Sequence, residues 1–263
     1  MAPTLANRLQ DGGGANVSEE EVTVLVTGFG PFRRLNYNPS YDITVTLPQY
    51  LPATPSCPTK IKLMLYPSPI KVAYGTVIDI VPRLYSPPTE IPITDPSLPA
   101  PDPKTPPFDL AIHIGMAPGR SYYTLETMGH RDGYNQWDDV DGQKLPKDFG
   151  RKHWPGCPEI LHTSLDTVDV WRRWKANLLP LGSGDKEIDV RPSDDAGHFL
   201  CDFIYYSSLA WYFRLGGRNI ESERPALFLH VPGNHDEEAL ARGREVTIAL
   251  IRAMVESRRM SKQ

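Results

Sequence analysis

Residues 22–27 read VTVLVT, a nearly unbroken run of apolar and β-branched side chains. A strand of that composition is buried on both faces, so the chain must lay other elements above and below it. The pattern returns at residues 110–115 (LAIHIG) and 226–231 (ALFLHV), and more weakly at 61–66 (IKLMLY), 121–127 (SYYTLET) and 188–190. Between these runs lie stretches with helical spacing. One opens at Asn38-Pro39-Ser40 and runs to about Leu47, another spans 74–84 with Pro82 near its end, a third spans 196–214, and a fourth closes the chain at 237–258. Alternating buried strands and helices predict an α/β fold with a largely parallel or mixed sheet covered by helices on both faces. Ligands in such folds sit at the carboxyl ends of the strands.

A chain of 263 residues, 40% hydrophobic and 23% charged, suits a single domain over 21–263 preceded by a flexible arm at 1–20. Proline is over-used, with 27 residues, many crowded into a stretch at 86–107 that lacks amide donors and is expected to run as an extended surface loop. Residues 128–152 are polar and glycine-spotted, the composition of an irregular loop or lid. With 28 basic and 32 acidic residues the formal charge is −4, and no basic run tracks a phosphate backbone, so nucleic acid is not an expected partner. No apolar stretch approaches the ~20 residues that cross a bilayer, and no charged-then-apolar leader opens the chain, so a cytoplasmic protein with no membrane partner is expected. Three cysteines, Cys57, Cys157 and Cys201, argue against a disulfide framework and supply no CxxC metal pair, although a pairing of Cys57 with Cys157 stays open.

The residues able to do chemistry cluster near the ends of these elements. Cys201 falls early in the 196–214 helix, behind Ser193 and Asp194, which are candidate caps, and a helix start favours a thiolate. A thiol nucleophile needs a base, and seven histidines compete. His230 ends an apolar strand and can project into a cleft. His113 lies within a strand and suits packing, while His130, His153, His162, His198 and His235 read as solvated or structural. Glu126 also ends a strand, where its carboxylate either orients an imidazole or is an ordinary surface group. Phe29 and Phe32, in the loop after the first strand, are core or pocket. Ser193 as a rival nucleophile is better explained by capping. His230 and His235 are five apart and no HExxH occurs, so no metal site is expected.

Taken together, Val24-Leu25-Val26-Thr27-Gly28-Phe29-Gly30-Pro31-Phe32, Asn38-Pro39-Ser40, His113-Ile114-Gly115, Thr124-Leu125-Glu126, Gly129-His130-Arg131-Asp132-Gly133-Tyr134, the run from Ser193 to Phe203, and Phe228-Leu229-His230-Val231-Pro232 resemble pyroglutamyl peptidase I in its eukaryotic form. These are cysteine exopeptidases that remove N-terminal 5-oxoproline. The resemblance implies a three-layer α/β/α sandwich around a twisted, mixed, mostly parallel sheet, and no cofactor. It makes Cys201 the nucleophile, His230 the general base and acid, and Glu126 the residue that orients His230. It implies that Phe29 and Phe32 wall the lactam ring, that Asn38 supports their loop, and that Phe199 and Leu200 complete the pocket. Met116 stands where bacterial members carry glutamine, near the lactam. The segment at 134–189 exceeds the compact bacterial form as an insertion, and oligomerisation stays open. Expected partners are peptides with an N-terminal pyroglutamyl residue. The rival readings are a catalytically silent protein that binds such peptides and a nucleoside phosphorylase-like enzyme of similar layered fold.

Overall fold

The computed structural model describes residues 21–32, 35–85, 106–181 and 187–262. The arm expected at 1–20 and nearly all of the proline-rich loop expected at 86–107 lie outside the described residues. In chain order the elements are β1 (Glu21–Gly28), α1 (Pro39–Thr46), β2 (Tyr50–Leu51), β3 (Lys60–Leu65), α2 (Tyr74–Tyr85), β4 (Leu110–Ala117), β5 (Tyr123–Glu126) and β6 (Met128–His130). There follow α3 (Phe149–His153), β7 (Ile160–His162), α4 (Thr167–Leu178), a 3-10 turn (Leu179–Leu181), β8 (Val190–Ser193), α5 (Leu200–Leu215), β9 (Ala226–Pro232) and α6 (Glu237–Ser261).

Seven strands form one sheet in the order β2-β3-β1-β4-β9-β5-β8. Pairing is parallel from β3 through β1 and β4 to β9, and again between β5 and β8; β2 with β3 and β5 with β9 are antiparallel. The three strongest apolar runs of the sequence are thus the three adjacent central strands, buried on both faces by helices. Ile43 of α1, Trp174 of α4 and Leu250 of α6 pack on Val24, Val26, Ile112 and Leu229 on one face. Val77 and Val81 of α2 and Phe203 and Leu209 of α5 pack on Leu25, Ala111 and Phe228 on the other. This is the three-layer α/β/α sandwich with a mixed, mostly parallel sheet. Each valine, leucine, isoleucine or phenylalanine among them stabilises the fold by about 1.5–3 kcal/mol when taken from water.

Within 134–189 lies α4, a helix that the sequence reading passed over. Asp166 caps it by accepting from the amides of Val168 and Asp169, Val170, Trp174 and Leu178 face the sheet, and the Trp174 indole donates to the Val246 carbonyl at 3.0 Å. The polar excursion at 128–152 is mostly turns, organised by the buried Asp139. Its carboxylate accepts from the amides of Tyr74, Asp141 and Gln143, each at 2.9 Å. The open pairing of Cys57 with Cys157 is excluded, since both are free thiols buried on opposite faces of the sheet. Among the described residues no helix is long and apolar enough to cross a membrane.

Candidate active site

The strand alternation that buries Leu227, Leu229 and Val231 on the α1/α6 face turns Phe228 and His230 toward α5. Along β5 the same alternation buries Tyr123 and Leu125 on the α1/α6 face and turns Thr124 and Glu126 the other way. Because β5 runs antiparallel to β9, Thr124 lies across from His230 and Glu126 across from Phe228, which puts Glu126 on a short diagonal to the imidazole. Glu126 Oε1 sits 2.7 Å from His230 Nδ1, with the carboxylate fully buried and the imidazole nearly so.

The third group comes from α5, which crosses the same face. A Cβ placed on Gly115 would stand 2.8 Å from Cys201 Sγ and 2.6 Å from Phe228 Cζ. Gly115 is also the pairing partner of His230 between β4 and β9. The missing side chain at position 115 therefore opens the space that the sulfur fills, over the patch of sheet from which His230 projects.

Burial opposes the charge on Glu126, but hydrogen bonds from His230 and Thr124 outweigh it and hold the carboxyl below its ordinary value. Arg120 adds a layer that the sequence reading missed. Its guanidinium donates to Thr124 Oγ1 at 2.6 Å, to Glu126 Oε1 at 3.0 Å and to the Asp195 carbonyl at 3.3 Å. Thr124 Oγ1 in turn donates to Glu126 Oε1 at 2.9 Å. Arg120 sits in the turn after β4, where neither spacing nor periodicity distinguishes it from a surface arginine.

The polar cap expected before Cys201 is not formed, and the surroundings of the thiol work against its anion. Burial, joined by the nearby carboxylates of Glu126 and Asp202, pushes the Cys201 thiol well above its ordinary value, with Arg120 pulling the other way. Nor do Ser193 and Asp194 cap the helix. Ser193 ends β8 and bonds the amide of Asp195, Gly197 and His198 both take positive φ (93° and 46°), and α5 begins only at Leu200, with Phe199 at the N-cap and no side-chain cap. Left-handed backbone at two successive residues is incompatible with a helix starting at 196. Cys201 is thus the second helical residue, in a first turn whose amide protons have no intrahelical acceptor.

Beside the thiol lies an aromatic wall. Phe32 and Phe199 pack at a tilt with ring centroids 5.0 Å apart, and Tyr74 meets Phe199 edge-on at 5.9 Å. Phe29 and Leu200 are buried in the same cluster. Asn38 caps α1 and ties it to the loop that carries the phenylalanines: its Oδ1 accepts from the Ser40 amide and hydroxyl, and its Nδ2 donates to the Gly30 carbonyl at 2.8 Å. Met116 follows Gly115 in β4, and its buried side chain turns toward Gly233 and away from the thiol. His113 is a packing residue, bonded to Thr27 and Ser208, and burial drives its pKa down to about 3. His235 pairs with Asp42 on the surface.

No family model matches the chain. In sequence it is similar to pyroglutamyl-peptidase 1 of Homo sapiens, 28% identical over 212 residues that make up 80% of this chain and 78% of the relative. The Rattus norvegicus protein of that name is 29% identical over the same shares. In structure it matches a pyrrolidone carboxyl peptidase from Thermus thermophilus with a TM-score of 0.55 at 25% identity, covering 89% of this chain and 99% of the other. A mutant pyrrolidone carboxyl peptidase from Pyrococcus furiosus shares the fold at a TM-score of 0.58 and 19% identity, over 92% of this chain and all of the other.

Proposed function

We propose that this chain, akin to pyroglutamyl-peptidase 1 in sequence and to pyrrolidone carboxyl peptidases in fold, is a cysteine exopeptidase that hydrolyses the peptide bond after an N-terminal pyroglutamyl (5-oxoproline) residue. The observation that carries this reading is the 2.7 Å bond from Glu126 to His230, on the sheet face where the Cys201 sulfur lies against Gly115.

Burial and two carboxylates favour the protonated form of the resting thiol. His230 Nε2 takes that proton as the sulfur attacks the carbonyl carbon that follows the lactam ring. Glu126 accepts from Nδ1–H, fixes the tautomer and stabilises the imidazolium. Negative charge then develops on the carbonyl oxygen beside the first turn of α5, whose unpaired amides are suited to receive it. His230 delivers the proton to the departing amine, leaving a thioester on Cys201. Water adds to that thioester with His230 again as base, and pyroglutamate leaves as the thiol is restored.

The flat, neutral lactam suits walls of Phe29, Phe32 and Phe199, with Asn38 holding their loop, Leu200 beneath, and the backbone near Met116 at the strand end. A free N-terminal glutamate would bring charge into that apolar slot. Proline lacks the ring carbonyl and would leave a buried donor unpaired, at a cost of roughly 1–3 kcal/mol. The fold bears no cofactor role in this scheme, and the working compartment is the cytoplasm. Release of a fluorophore from a pyroglutamyl amide, lost in Cys201→Ala, tests the reading; a folded wild type that binds the amide without turning it over would overturn it in favour of a binding protein.

A further inference from the structure

We propose that His130, His198 and Asp202 form a site for a transition-metal dication of the zinc class, on the flank of α5 next to Cys201. One ring nitrogen from each histidine and a carboxylate oxygen of Asp202 all lie within 4.8 Å of one another. Asp202 Oδ2 is 3.1 Å from His130 Nδ1 and 3.5 Å from His198 Nδ1. Ligands bound tetrahedrally at zinc–nitrogen distances stand about 3.4 Å apart, so these two edges already have the dimensions of one face of such a site. The inference goes beyond the peptidase reading and does not rest on it.

The carboxylate is fixed before any ion arrives. Asp202 is fully buried, and its other oxygen accepts from the His130 amide at 2.9 Å, which leaves Oδ2 for the two rings. The rings themselves lie 4.4 Å apart, centroid to centroid. His198 Nδ1 also stands 3.2 Å from the Asp132 carbonyl oxygen, a hydrogen bond that a metal would replace. His198 is only partly buried, so an ion has a path in and water can occupy a fourth position. Asp194 and Asp195 place further negative charge near His130. A scan for closely spaced ligand pairs misses the set, because His130 and His198 are 68 positions apart and meet only where β6 packs on α5.

Co2+ titrated into full-length Cys201→Ala protein is the test, since that background removes the adjacent thiol. The expected result is a saturable one-to-one visible absorption of tetrahedral strength, displaced by Zn2+. His198→Asn, chosen because asparagine tolerates the left-handed backbone, should weaken binding at least about tenfold, and His130→Gln likewise. No absorption beyond that of free aqueous Co2+, or binding in both variants as tight as in the Cys201→Ala parent, would show that the histidines are only partners of the Asp202 carboxylate and would overturn the site.

Discussion

Arg120 and Glu126 meet at 3.0 Å on the carboxylate oxygen that also receives His230. One oxygen therefore answers to a guanidinium, an imidazole and the Thr124 hydroxyl. Arg120 works through Glu126 and not on the substrate, which makes it a positioning residue. Its charge also opposes the rise in the Cys201 thiol. Arg120→Ala should lower kcat more than it raises KM and slow alkylation of Cys201 by iodoacetamide at neutral pH, because the cation that favours the thiolate is gone. Arg120→Lys should restore part of both. Unchanged alkylation in the alanine variant would count against the electrostatic role.

Glu126→Gln keeps the volume but removes the charge and permits the wrong imidazole tautomer. A loss in kcat of about a thousandfold or more is expected, as for the acid of any imidazole-based triad. The same group carries a pH signature. Its folded pKa lies below the ordinary 4.5, so the stability it contributes is present above that value and is lost as pH falls through the folded pKa. Urea midpoints measured from about pH 5 down to about pH 3 should therefore fall more steeply in wild type than in Glu126→Gln. Parallel curves would refute the assignment.

The central strands were legible because each is buried on both faces and shows it as an unbroken apolar run. The family motifs made Glu126, Cys201 and His230 legible as a set. The pairing that joins two of them was not, since the antiparallel register of β5 on β9 is a non-local choice. The start of α5 was misjudged because Ala196, Phe199 and Phe203 continue the helical spacing upstream, whereas the left-handed pair Gly197 and His198 leaves no mark in a hydrophobic pattern. The omission of α4 is different in kind. Asp166, Val170, Trp174 and Leu178 carry both a cap and a period of four, signals present in the sequence itself.

Gly115 offers a direct probe of how the sulfur is seated. An added methyl would stand 2.8 Å from Cys201 Sγ and 2.6 Å from the Phe228 ring. Neither can be accommodated without movement. Gly115→Ala should cost about 1–3 kcal/mol in a urea titration, as overpacked cores do, and should reduce turnover out of proportion by moving the sulfur away from His230. A variant that loses stability yet keeps wild-type kcat would show that the thiol is not held against this strand.

Asn38 separates substrate binding from chemistry. Its side chain caps α1 through the Ser40 amide and also grips the Gly30 carbonyl, so one amide group sets both the helix start and the path of the loop between Phe29 and Phe32. Gly28 reinforces that path: a Cβ there would stand 2.6 Å from the Ser40 carbonyl, so only glycine lets α1 begin so close to the end of β1. Asn38→Ala removes the cap, at a cost of about 1 kcal/mol, and frees the loop that carries the aromatic wall. Since Glu126, His230 and Cys201 stand on other elements, KM for a pyroglutamyl amide should rise while kcat falls much less. Asn38→Asp keeps the capping oxygen but loses the donor to Gly30. It should restore the stability and leave the KM defect, which distinguishes the loop contact from the cap.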